Sequence, residues 1–334
     1  MNDQPHRAAV APVADGSERP LWSVMIPSFN CADHLRVALS SVLSQDPGPE
    51  HMQIEVIDDH STRDDPRGVA AEVGGGRVTY IRQPRNVGHV ANFATCLQRS
   101  RGHLVHVLHG DDAVREGFYE KMQRSFATEH GVGAAFCRYI SVDDRNHWQT
   151  ICPLEQLQSG VLSGWLEKLA VGQRLQTPCM VVRREVYESL GAFDDRLGLG
   201  EDWEMWVRIA AHYPVWYEVE PLALYRVGSA SITARAMRTG QNVEDIVRAI
   251  DTIHAHLPRQ RTDALRAEAR EIAATTALRR ARRAIDSGQG TVARAQVRSA
   301  LRVSRSPAVL LALGRTLARL ALARARPTPD QAGT

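Results

Sequence analysis

Leu104-Val105-His106-Val107-Leu108 runs directly into His109-Gly110-Asp111-Asp112. A short apolar run with β-branched residues reads as a strand buried on both faces of a parallel sheet. In open α/β sheets, ligands bind just beyond the carboxyl ends of the strands. Two adjacent carboxylates there are costly unless positive charge holds them. A divalent metal carrying phosphates supplies that charge. The same pair would also serve as a cap for a following helix or turn.

Outward from this junction, strand and helix signals alternate. Leu21 to Ile26, Gln53 to Ile57 and Val78 to Ile81 read as three further strands. Between them lie a helix capped by Asn30, with Leu35, Leu39, Val42 and Leu43 on one face, a helical or irregular stretch that ends at Gly74-Gly75-Gly76, and a helix from Gly88 to Ser100. This β-α-β-α-β-α-β order predicts a parallel sheet with right-handed crossovers. Helices are then expected over Glu116–Thr128, Gly160–Val171 and Glu201–Ala211, the last amphipathic. Short strands are expected over Val132–Val142, Cys179–Val182, Val215–Tyr217 and Leu222–Tyr225. Beyond Gly240 the chain reads as Ala/Arg-rich helices broken at Pro258, Gly288-Gln289-Gly290 and Pro307.

The net charge of +3 over 334 residues conceals an asymmetry. Arg259 to Arg326 holds 16 arginines against four acids, a net +12, which leaves the rest of the chain at −9. Five scattered cysteines without a C-x-x-C pair argue against a disulfide framework or a zinc site. The 13 histidines lack H-x-x-x-H spacing, which also speaks against a zinc enzyme. A reduced, cytoplasmic setting is expected. Residues 1–20 are polar, without an apolar core, and read as a disordered leader rather than a signal peptide. No run approaches the roughly 20 apolar residues of a membrane span.

Three strand ends deliver polar groups to one crevice: Pro27-Ser28-Phe29-Asn30, Asp58-Asp59-His60-Ser61 and His109-Gly110-Asp111-Asp112. Phe29 offers a flat wall for a base, and a carboxylate can accept from a pyrimidine N–H. Asp111 and Asp112 can recruit Mg²⁺ or Mn²⁺ to balance a diphosphate. Each carboxylate would otherwise read as a helix or turn cap.

These stretches resemble the family 2 glycosyltransferases, inverting enzymes of GT-A fold, from about Leu21 to Thr233. Val24-Met25-Ile26-Pro27-Ser28-Phe29-Asn30 is similar to the family's opening strand, and Val56-Ile57-Asp58-Asp59-His60-Ser61 to its V-V-D-D-G-S motif. Arg85 to Asn92 is similar to the N-x-G-x-x-x-A-x-N segment. Leu108 to Asp112 is similar to the metal motif, and Gly200-Glu201-Asp202-Trp203 to the E-D motif. The resemblance implies an α/β fold, a Rossmann-like mixed but mainly parallel sheet flanked by helices, with an all-helical C-terminal extension. It implies a catalytic domain over 21–235 and an extension over 236–334. The nucleotide site would comprise Pro27, Ser28, Phe29, Asn30, Asp58, Asp59, Asn86, Gly88, Asn92, Gly110 and Asp111. Asp111 and Asp112 would hold the metal. Asp202 would be the general base, with Glu201 orienting it or touching the acceptor. Thr177, Trp203 and Arg226 would serve the acceptor or diphosphate. Two positions depart from the pattern: His109 stands where the family often has Asp, and Gly228 where it often has His.

The chemistry fits a single displacement, which needs a base for the acceptor proton and positive charge on the leaving diphosphate. Trp203, Trp206 and Trp216 are candidates for a sugar platform, with core packing preferred for Trp206. The expected substrates are a UDP- or dTDP-type sugar donor and a hydroxyl acceptor in cell-surface polysaccharide, glycolipid or glycosylated-metabolite synthesis. A same-fold nucleotidyltransferase is one alternative, but its Gly-rich basic loop is missing at Pro27–Asn30. A non-catalytic nucleotide- or sugar-binding subunit is another. The basic C-terminal helices lack interleaved aromatics, which disfavours nucleic acid. They read first as an appendage that packs on the catalytic domain, and alternatively as a surface for peripheral contact with an anionic membrane at its inner face.

Overall fold

The computed structural model describes residues 6–14, 16–129, 131–228, 232–257 and 259–325. The outer ends of the predicted leader and extension, and Pro258, lie outside the described residues. The chain divides into two units: residues 1–166 with 173–228, and residues 167–172 with 229–334.

In the first unit the chain alternates β1 (Trp22–Ser28), α1 (Ala32–Leu43), β2 (Met52–Asp58), α2 (Pro66–Gly74), β3 (Thr79–Arg82), α3 (His89–Arg99) and β4 (Leu104–Val107). It continues through β5 (Ala113–Val114), α4 (Phe118–Thr128), β6 (Ala134–Val142), β7 (Trp148–Ile151) and β8 (Gly160–Val161), and then α5 (Trp165–Ala170), of which only the first two residues count to this unit. β9 (Met180–Arg183), α6 (Arg184–Leu190), α7 (Glu201–Ala210) and β10 (Val215–Arg226) complete it. The strands form one mixed sheet in the order β3-β2-β1-β4-β9-β6-β10-β5, with β7 on β6 and β8 on β10. β3, β2, β1 and β4 are mutually parallel, as the alternating pattern predicts. β9 runs antiparallel to both neighbours. β1, β2 and β4 are buried along their full length, which is why they read as unbroken apolar runs.

Several local expectations change. Residues 6–14 are not a free leader: Ala8 and His6 carbonyls accept from the Ala192 and Asp195 amides, and Val10 is buried. Backbone hydrogen bonds, the buried Val10 and an Arg7–Glu204 ion pair at 2.9 Å hold this segment in place. Asn30 does not cap α1. It takes a left-handed φ of 52°, and its Oδ1 accepts from the Thr62 and Arg63 amides. The first amide of α1 is satisfied instead by Asp64 Oδ2 at 2.8 Å. The helix expected from Gly160 starts only at Trp165, after the short strand β8 and Gly164 at φ 62°. Val215–Tyr217 and Leu222–Tyr225 are parts of one strand, β10, whose pairing with β6 shifts around Pro221. α7 is buried over most of its surface, with Glu204 and Arg208 paired within it at 2.9 Å and Arg7 reaching Glu204 from outside at 2.9 Å.

The second unit is helical: α8 (Ile232–Thr239), α9 (Gln241–Ile253), α10 (Arg259–Asp286), α11 (Gly290–Val303) and α12 (Pro307–Ala325). Small residues let its helices approach closely. Ala274, Ala277, Leu278, Ala300, Val243 and Val309 form one core cluster, and Ala281, Ala284 and Ala293 another. No helix among the described residues is long and apolar enough to cross a membrane.

Candidate active site

The strand order reverses between β1 and β4, because β2 and β3 extend the sheet on one side and β9 on the other. That switch point opens a crevice beyond the carboxyl ends of the two strands. The loops Ser28–Asn30 and His109–Asp112 flank it. They touch: the Gly110 amide donates to the Pro27 carbonyl at 2.9 Å. A Cβ at Gly110 would lie 3.0 Å from Cys31 Sγ and 3.2 Å from Pro27 O, so the close approach needs glycine. Phe29 is 41% exposed at the rim.

The second wall is the loop after β2. Asp58 is fully buried and accepts from the Ser61 hydroxyl at 2.5 Å, the Tyr80 hydroxyl at 2.8 Å and Arg82 Nη1 at 3.2 Å. Asp59 turns to the loop before α3, accepting the Val87 amide on Oδ1 at 2.7 Å and the Gly88 amide on Oδ2 at 3.0 Å. Burial raises its pKa against those two backbone bonds. Asn86 Nδ2 donates to the Asp59 carbonyl at 3.1 Å. Asn92 lies buried beneath: its Nδ2 donates to the Ile57 carbonyl at 2.8 Å and its Oδ1 accepts from Gln83 at 3.2 Å. It stitches α3 to β2 rather than facing the crevice. His60 holds φ 64° where the family motif carries glycine, with its Nδ1 3.0 Å from the Gln83 carbonyl.

Beyond β4, one ligand atom each from His109, Asp111 and Asp112 lie within 4.8 Å of one another. His109 Nδ1 is 3.7 Å from Asp112 Oδ2, and its ring stacks on Phe93 with centroids 5.0 Å apart. His109 Nε2 and Asp112 Oδ2 are buried with no hydrogen-bond partner. Buried polar atoms in native proteins are almost always paired, so two such atoms in one cluster are chemically suited to a bound cation. Burial, then the neighbouring Asp111, pushes the Asp112 carboxyl well above the ordinary range. Imidazole and carboxylate oxygens suit a divalent cation of the Mn²⁺ or Mg²⁺ type. Arg226 is buried here: its amide donates to Asp112 Oδ1 at 2.8 Å and its Nε to the Asp111 carbonyl at 2.7 Å. Its other nitrogens donate to the Asp143 carbonyl and Asn146 Oδ1. Three of its five guanidinium N–H groups thus brace the loop.

The third component is the first turn of α7. Asp202 is half-buried; its Oδ2 accepts from Gln173 Nε2 at 2.7 Å and from the Thr177 hydroxyl at 3.4 Å. Burial, and then the adjacent Glu201, raises its pKa to about 7. Glu201 Oε1 is 3.3 Å from His89 Nε2, and Glu201 Oε2 is a third buried orphan. Burial, and then the charges of Asp112, Asp202 and Asp111, raise the pKa of the Tyr225 hydroxyl. Trp203 and Trp206 are 2% and 1% exposed and belong to the core, so Trp203 offers no face to a sugar.

The tertiary structure thus gathers Pro27–Asn30, Gly110–Asp112 and the Asp58–Asp59 loop at one switch point. Thr177, Glu201 and Asp202 meet at the start of α7. Sequence reasoning missed His89, Phe93, Gln173 and Tyr225. His89 stands inside the N-x-G-x-x-x-A-x-N segment and Tyr225 just before Arg226, so both were within reach of the motifs; Gln173 carried no signal.

Comparison with known proteins agrees with this arrangement. The family profile described as Glycosyl transferase family 2 matches residues 23–191, half of the chain. An uncharacterised protein of Mycobacterium tuberculosis is 27% identical over 68% of this chain and 73% of its own. An O-antigen biosynthesis protein, RfbC of Myxococcus xanthus, is 26% identical over 58% of this chain but 16% of its own length. Among solved structures, residues 1–349 of S. aureus TarS in complex with UDP superimpose with a TM-score of 0.59 at 15% identity, covering 90% of this chain and 89% of that one. The mannosyltransferase PcManGT of Pyrobaculum calidifontis, in complex with GDP-Man and Mn²⁺, gives 0.56 at 18% identity, covering 94% and 84%. The mixed sheet is therefore the GT-A fold, the protein is a nucleotide-sugar glycosyltransferase, and the chain belongs to glycosyl transferase family 2.

Proposed function

We propose that this glycosyltransferase is a metal-dependent, inverting enzyme. It moves a sugar from a UDP- or dTDP-type donor to a hydroxyl acceptor in cell-surface polysaccharide, glycolipid or glycosylated-metabolite synthesis. The observation that carries the reading is the His109–Asp111–Asp112 cluster with its two orphaned atoms at the switch point. A divalent cation held there would supply positive charge against the leaving diphosphate. Phe29 lies against the base, and the Pro27–Asn30 and Asn86–Gly88 loops line the nucleotide. Asp202 takes the acceptor's hydroxyl proton through Oδ1 or Oδ2 as the new bond forms. A base with a pKa near 7 is matched to that task at neutral pH. Gln173 and Thr177 orient its carboxylate. TarS with UDP and PcManGT with Mn²⁺ support a nucleotide donor and a cation in this fold. The RfbC relative supports a role in surface polysaccharide synthesis. Five free cysteines support a cytoplasmic setting.

Calorimetry with UDP, GDP and dTDP, each with and without Mn²⁺, tests the reading. We expect Mn²⁺-dependent binding of UDP or dTDP that Asp112→Ala abolishes. Binding that is indifferent to Mn²⁺, or to Asp112→Ala, overturns the metal assignment.

A further inference from the structure

α12 closes the helical unit and packs on it through one face only. Val309 is fully buried in the core cluster, with Ala312 and Leu313 against it. Thr316 is buried, and Arg282 Nη1 donates to its hydroxyl at 3.3 Å. Arg319 Nε reaches Asp286 Oδ1 at 2.5 Å. These positions share one side of a 3.6-residue helix.

The opposite side carries two rows. Leu310, Gly314, Leu317 and Ala321 recur at helical spacing, and beside them lie Leu311, Arg315, Ala318 and Leu322. All eight are exposed; Leu310, Leu311, Leu317 and Leu322 are 52%, 59%, 54% and 62% exposed. Four leucines on one face of a single helix form an apolar patch of the kind that marks an interaction surface. Its surroundings are cationic. Arg315 sits within the outer row with no acidic partner among the described residues, and the stretch Arg259–Arg326 carries a net +12.

We propose that this face of α12 is a docking surface for a bilayer carrying anionic lipids, on which the helix lies parallel to the membrane plane. Leucines on one face enter the acyl boundary while arginines meet phosphate groups, the arrangement of interfacial amphipathic helices. Arg315 reaches the headgroups along its own stem from within the leucine rows. Charge decides the occupant: a second copy of the chain would bring its own arginines against these, whereas an anionic surface complements them. A peripheral surface also agrees with the lack of any spanning helix among the described residues. The inference rests on α12 and not on the catalytic reading.

The test is co-sedimentation of the full chain with vesicles of phosphatidylglycerol and phosphatidylcholine, and with phosphatidylcholine alone. Leu310→Glu combined with Leu317→Glu should cut binding to the anionic vesicles by about tenfold or more. Arg315→Glu should weaken it less and in a salt-dependent way. Because these side chains are more than half exposed, circular dichroism and UDP binding stay at wild-type levels; Leu310→Ser with Leu317→Ser serves if the glutamates perturb folding. The proposal is overturned if the wild-type chain does not sediment with anionic vesicles, or if the double variants bind as it does. It is overturned equally by a concentration-dependent dimer that the same substitutions dissolve, since a second copy would then own the face.

Discussion

His89 Nε2 lies 3.3 Å from Glu201 Oε1, joining the first turn of α3 to the first residue of α7. One turn further along α3, Phe93 stacks on His109. The same helix face thus abuts both the Glu201–Asp202 turn and the His109–Asp112 loop. Burial alone would lower the His89 pKa, but the hydrogen bond and charge of Glu201 outweigh it and raise it. His89→Leu should leave Glu201 buried without a donor and lower kcat/KM by about tenfold or more. His89→Gln, which keeps a donor, should recover part of that loss. Steady-state kinetics on the two variants, with UDP binding as the control, check this.

Asp202→Asn keeps the carboxamide's shape but cannot take a proton. Turnover should fall by at least about 10²-fold while nucleotide affinity is unchanged. Wild-type turnover in that variant would remove Asp202 from the mechanism.

The pH profile follows from the same residue. Asp202 must be ionised to act as a base, and burial beside Glu201 places its pKa at about 7. As pH falls through that value, kcat/KM should drop, approaching about tenfold per unit on the acid side. In a variant with residual activity, Glu201→Gln, removal of the neighbouring charge should move this limb to lower pH.

Asp58 and Asp59 are adjacent yet do different work. Asp58 is buried and tied to Ser61, Tyr80 and Arg82. Asp58→Ala would strand those partners and should cost about 3 kcal/mol of stability by urea unfolding. Asp59→Ala frees the Val87 and Gly88 amides, so its effect should fall chiefly on nucleotide affinity through the 86–88 loop.

Arg226 braces the His109–Asp112 loop through the Asp111 carbonyl and the Asp112 carboxylate. Arg226→Ala leaves the Asp111 and Asp143 carbonyls short of a donor. Thermal unfolding should show a loss of about 2 kcal/mol or more, and Mn²⁺-dependent UDP binding should weaken with it.

The division between sequence and tertiary structure follows from range. Apolar runs and strand-end motifs are local, so β1 through β4, their helices and the three polar strand ends were legible in the residues alone. So were the breaks at Gly288–Gly290 and Pro307, where backbone chemistry stops a helix whatever surrounds it. Side-chain direction was not. Asn30, Asn92 and Arg226 carry polar groups that suit a ligand equally well as a backbone, and only packing against residues 30 to 115 positions away settled which they meet. Trp203 reads as a platform or as core until the burial of α7 decides for core. His89 and Phe93 on α3 meet Glu201 and His109, which come from elements far apart in the chain. Their proximity is a product of strand order, which no local pattern encodes.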